Sequence, residues 1–141
     1  MSDLPADLRL ILTHVQSTSA RVRFLRFAHG LCAFSPLPAL SAFDEDAPVP
    51  QVVHHPAQYL HAAETQLGLA AGSLRHEPEF NAMVETPDGP IAVHLAAFTT
   101  IDPPFEAAEA MGGRFIAITE AHGCAPVELA LLRAAYTAVM G

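Results

Sequence analysis

Apolar residues at Leu4, Leu8, Ile11, Leu12 and Val15 recur at the three-to-four-residue spacing of a helix face, and Asp3 before Pro5 has the chemistry of a cap and a first turn. The spacing predicts a helix over 4–16, broken by Ser17, Thr18 and Ser19. Val22, Phe24, Leu25, Phe27, Ala28 and Leu31 fit a short helix ending at Gly30, although Val22 and Phe24 between arginines also fit a strand. The reading over 20–30 leans to helix.

Residues 32–55 contain Pro36, Pro38, Pro48 and Pro50, with Asp44, Glu45 and Asp46 between them. Proline removes a backbone donor and fixes its own dihedral, so this density predicts a long loop, with room for one edge strand such as 51–54. Pro56 then stands where a first helical residue should, Leu60, Ala63 and Leu67 share a face, and Gly68 supplies a left-handed stop. A helix over 56–67 follows.

Phe80, Ala82 and Val84 alternate with Asn81, Met83 and Glu85, and after the run Thr86-Pro87-Asp88-Gly89-Pro90 the residues Ile91, Val93, Leu95 and Ala97 alternate with Ala92, His94 and Ala96. Alternation on both sides of a Pro-Asp-Gly segment predicts a β-hairpin with strands near 80–86 and 91–100, turning at Asp88-Gly89. Asp102 and the Pro103-Pro104 pair open a short helix through Met111 that Gly112 and Gly113 stop. Phe115 to Ile118 reads as a buried strand, and Pro126 opens a last helix with Val127, Leu131, Ala134 and Ala138 in a stripe. The expected fold is α+β: residues 1–141 form a single domain, a mostly antiparallel sheet with a central hairpin and helices packed on one face.

Composition narrows the chemistry. A chain of 141 residues is long enough to bury a core without disulfides or metal, and its charged fraction of 16% lies below the roughly 25% of ordinary domains. Seven basic against fifteen acidic residues give a net charge of -8. All the basic residues are arginine, which excludes lysine Schiff bases, pyridoxal phosphate attachment and the lysine-dependent phosphate loop. The acidic balance argues against nucleic acid, since each phosphate would be repelled; Arg21, Arg23 and Arg26 make the one basic cluster and read as a solvated face. No apolar run reaches a membrane-spanning length and no signal segment is visible, so the expected location is cytoplasmic and Cys32 and Cys124 are expected to be reduced.

Three segments carry candidate chemistry. The stretch Thr119 to Cys124 leaves a strand and enters the helix that begins at Pro126. A thiol beside a helix amino terminus is stabilised as thiolate by unsatisfied N–H groups, so Cys124, with His122 or His94 as base and Glu120 nearby, forms a candidate nucleophilic constellation. His94 lies mid-strand in the hairpin among small side chains. The second segment is His54, His55, His61 and Glu64, where His61 and Glu64 stand three apart and share a side of the helix; His55, His61 and Glu64 are the candidate metal ligands, although no recognised zinc spacing is present. Asp102, Glu106 and Glu109 gather carboxylates after the hairpin and are explained by helix capping.

No cofactor is assigned by these patterns. The low charge content leaves apolar surface to cover, so the expected function is a non-catalytic homodimeric module that binds a small molecule or another protein. The alternative is a small hydrolase or thiol enzyme working through Cys124 and a nearby histidine.

Overall fold

A computed structural model describes residues 4–43 and 55–140. The chain runs β1 (Leu8–Val15), β2 (Val22–Arg26), β3 (Ala42–Phe43), α1 (Pro56–Leu67), β4 (Leu74–Thr86), β5 (Gly89–Phe98), α2 (Phe105–Ala110), β6 (Arg114–Ile116) and α3 (Pro126–Met140), with one 3-10 turn at Ile118–Glu120. One six-stranded mixed sheet holds them in the order β3-β4-β5-β1-β2-β6. Only β1 and β5 run parallel, from Leu8 opposite Ala92 to Thr13 opposite Ala97; the other pairings are antiparallel. The α+β class with a mostly antiparallel sheet therefore stands in its coarse form.

The expected helix over 4–16 is instead the central strand β1. The helical spacing leaves Leu10 on the wrong side, whereas a strand uses every position. Leu8, Leu10 and Leu12 pack with Tyr59, Ala63 and Leu67 of α1 and Ala108 of α2. Ile11, between them, packs with Leu131, Leu132 and Ala135 of α3. Successive side chains of a strand point to opposite faces, so β1 is covered on both, and a doubly covered strand reads as a nearly continuous apolar run that can mimic a helix face. The helices accordingly divide between the two clusters, α1 and α2 with one and α3 with the other. The lean to helix over 20–30 is corrected in the same way: Val22 to Arg26 pairs with β1 on one side and β6 on the other.

The hairpin forms, with β4 extending back to Leu74 and Thr86 paired to Gly89 across Pro87-Asp88, one residue earlier than the expected turn. Gly89 has φ 117, a conformation that glycine adopts without a Cβ clash. A bulge between Glu77 and Asn81 takes Pro78, which cannot donate to a ladder, out of register. Helix α1 begins at Pro56 and ends on Gly68, φ 72, where Leu69 N–H donates to Glu64 O at 2.8 Å and closes the last turn. Within the Pro-rich 32–55 segment the strand found is β3; the suggested strand over 51–54 falls outside the described residues.

Candidate functional site

The sequence-derived catalytic set does not converge. Cys124 stands two residues before α3, half-buried, its N–H directed to Ala121 O at 3.4 Å. Burial pushes its thiol above the ordinary value; Arg26 pulls the other way and the Glu128 carboxylate adds to the rise. The expected activation by the helix terminus is thus outweighed by desolvation and a carboxylate. His122 is exposed, and Glu120 points its Oε1 back to the Ala117 N–H at 2.8 Å, closing its own turn. His94 lies between Val93 and Leu95, which pack on the α3 side. Its own ring therefore faces the other way, stacked on Tyr59 of α1 with centroids 5.1 Å apart and planes within 8°. The sheet separates His94 from Cys124.

The α1 face gathers groups that spacing did not reveal. The Tyr59 hydroxyl stands 2.8 Å from His76 Nδ1, and the His76 ring meets that of His94 edge-on at 6.0 Å. Tyr59 is 3% exposed, and burial raises its phenol to about 12. These rings come from α1, β4 and β5 and lock the helix to the hairpin.

Of the candidate metal ligands, Glu64 is buried and its Oε2 accepts the N–H groups of Gly72 and Leu74, both at 2.9 Å. Its other oxygen is 4.0 Å from Nδ1 of the largely exposed His61. His55 occupies the exposed cap position of α1, and His54 falls outside the described residues. Among the described residues no group of three or more such side chains is placed to hold a metal ion.

A second buried carboxylate organises the opposite side of the sheet. Glu128, in the first turn of α3, accepts from Leu31 N–H at 2.8 Å and Cys32 N–H at 3.3 Å. Gly30 passes so close that a Cβ there would stand 2.5 Å from Glu128 Oε1. Cys32 is fully buried beside this carboxylate, and burial first, then Glu128, push its thiol far up, with Arg9 opposing.

Arg9 is the feature that the helical reading concealed. On a helix it would have projected from the polar side; on β1 its residue is 9% exposed. Its guanidinium donates to four backbone carbonyls: Nε to Ser35 at 3.1 Å, Nη1 to Ala6 at 2.9 Å and to Leu8 at 3.1 Å, and Nη2 to Pro36 at 3.2 Å. A guanidinium carries five N–H groups, and these bonds use four of them. Arg9 lines a cavity of about 320 Å³ with Leu4, Leu8, Phe34, Ser35 and Gln66. The signal in the sequence was a single charge inside the apolar run Leu8 to Leu12.

A larger, more open groove of about 640 Å³ lies between the end of α1 and the start of α2, lined by Leu67, Leu69, Pro104 and Phe105 among others. No helix among the described residues is long and apolar enough to cross a membrane. In comparisons with known proteins, no family model and no curated protein sequence matches the chain.

Proposed function

We propose that the protein is a non-catalytic homodimeric module that binds a small molecule in the cavity at the amino-terminal end of β1. The observation that carries this reading is the cavity wall itself: one buried cation, two further polar side chains and an apolar remainder. Binding sites are commonly concave and apolar with a few placed polar groups, and about 320 Å³ lies at the small end of their range. The thiol-enzyme alternative loses ground because Cys124 has a raised thiol and His94 lies across the sheet from it. Nucleic acid is a poor partner for a chain of net charge -8, and two of the three arginines in its basic cluster bond internally: Arg23 Nη1 donates to Gln16 Oε1 at 2.9 Å, and Arg26 Nη1 to Glu120 O at 3.4 Å.

Backbone chemical-shift mapping against a panel of small neutral, cationic and anionic organic compounds tests the reading. The expected result is a saturable shift at Leu8, Phe34 and Gln66 with at least one class. A panel that moves none of these positions overturns it.

A further inference from the structure

Granted the homodimeric reading above, on which this step rests, we infer that two copies meet across a two-fold axis at the start of α2. Ile101 and Phe105 form the apolar centre, and Arg23 of each copy faces Glu106 and Glu109 of the partner subunit.

Among the described residues, the large apolar side chains that stand exposed are Leu40, Ile101, Phe105 and Met140. Ile101 and Phe105 share one short segment, and Phe105 also lines the groove between the end of α1 and the start of α2. Exposed apolar groups gathered in one place mark a surface that a partner covers. The Phe105 ring is held in position, with Phe115 edge-on at 5.7 Å and Cζ of Arg23 at 6.0 Å from its centroid. Arg23 is held in turn. Gln16 Oε1 accepts from Arg23 Nη1 at 2.9 Å, and Gln16 Nε2 donates to Asp102 Oδ1 at 3.0 Å, so one amide ties β2 to the segment that carries Ile101. Aromatic and arginine side chains are enriched at interfaces, and chains already immobilised lose little freedom on docking.

Charge selects a second copy as the occupant. The chain carries -8, and Arg21, Arg23 and Arg26 form its one basic cluster, so an acidic partner is attracted here and repelled over most other surface. A second copy is such a partner, and it brings the matching groups to the same place. Glu106 in the first turn of α2 and Glu109 three residues on are both exposed on the element that begins with Phe105. An isologous interface must be self-complementary, because residue i of one copy meets residue j of the other and j meets i. A patch with an arginine from β2 and two glutamates from α2 beside one apolar centre meets that condition; a patch of one sign does not. The apolar centre supplies affinity, and the charge pairs fix register.

Sedimentation velocity of the whole protein over a concentration series in physiological salt tests the surface. Ile101→Gln and Phe105→Gln are each expected to raise the dimer Kd at least about tenfold. Phe105 also packs on Phe115, so the more exposed Ile101 is the deciding position, with its circular dichroism spectrum expected to match that of the wild type. Leu40→Gln removes another exposed apolar chain, before β3 at the opposite end of the sheet from the β6 strand that α2 contacts, and is expected to leave the dimer intact. Arg23→Glu alone and Glu106→Arg with Glu109→Arg in one chain should each weaken self-association, whereas a mixture of the two proteins should form a one-to-one heterodimer, because both contacts then join opposite charges again. A wild-type dimer that Ile101→Gln leaves unchanged, or that Leu40→Gln weakens as much, overturns this surface while the homodimer stands. A mixture that associates no more tightly than its components overturns the charge pairing. A single-chain mass for the wild type at every concentration overturns the homodimer reading and this surface with it, and leaves the groove to a partner other than a second copy.

Discussion

Two buried glutamates hold this fold's loops by the same device, one carboxylate oxygen shared by two backbone N–H groups. Glu128 does so for Leu31 and Cys32, and Glu64 for Gly72 and Leu74. Removing a buried acceptor costs more than the bond it made, because the donors keep their desolvation penalty. Glu128→Ala is therefore expected to lower stability by about 2–4 kcal/mol for two stranded N–H groups, measured by urea denaturation, while Glu128→Gln, which keeps an acceptor oxygen, should cost less than half as much. Gly30→Ala should also destabilise, since its Cβ would meet Glu128 Oε1 at 2.5 Å and its φ is 139. Combined with Glu128→Ala the steric part should vanish, so the double variant should cost less than the two singles together. At Cys124 the expected outcome is chemical: alkylation by iodoacetamide at pH 8 should run slower than that of a free cysteine, because burial and Glu128 hold the thiol protonated more firmly than Arg26 releases it. A faster reaction would restore the thiol-enzyme alternative.

Helix α1 meets the hairpin through Tyr59, and its docking should be sensitive to alkali. The folded state holds the Tyr59 proton more tightly than the unfolded chain, with a pKa raised from 10.0 to about 12 by burial. The resulting stabilisation is complete below the unfolded value and is lost as pH rises from about 10 to about 12. The urea midpoint should therefore fall over that interval more steeply in the native protein than in Tyr59→Phe, which has no phenol to ionise; identical slopes would mean that Tyr59 ionises as freely folded as unfolded. The elements differ in how far they could be read from the chain. α1, α2 and α3 announce themselves through Pro and Gly at their ends and through one-sided patterns, because each has one buried face, whereas the hairpin is marked by its Pro-Asp-Gly turn and the alternation of β4, although β5 is buried on both faces. β1 does not, since burial on both faces erases the alternation that marks a strand, and Leu8, Ile11, Leu12 and Val15 then imitate a helix. The candidate site was hidden by the same error. Arg9 is informative only once it is known to lie on a covered strand, and Ser35 and Gln66 join it through contacts separated by dozens of residues. The pairing of Cys124 with His94 failed for a related reason: neighbouring strand positions point to opposite faces, and the side on which His94 lies depends on which cluster each face meets.

For the molecule as a whole, the described sheet ends in its two shortest strands, β3 with two residues and β6 with three. Among the described residues β3 pairs with β4 only at Val84 and Glu85, so the outer edge of β4 before Val84 has no described strand beside it and is one route to association. Side-chain surface is another route to a dimer. With half of the residues apolar and only 16% charged, the chain has little polar surface with which to cover a domain, and Ile101 and Phe105 stay exposed at 81% and 49% beside the start of α2. A net charge of -8 opposes association between copies, and salt screens that repulsion within about 8 Å at physiological ionic strength. The expected outcome in light scattering is a mass of twice the 15.0 kDa chain at micromolar concentration in physiological salt, with a shift toward the single-chain mass as salt is withdrawn. A single-chain mass at every salt concentration would remove the homodimer from the proposed function, and would leave the Arg9 cavity, whose described lining comes from one chain, as a site that each copy carries alone.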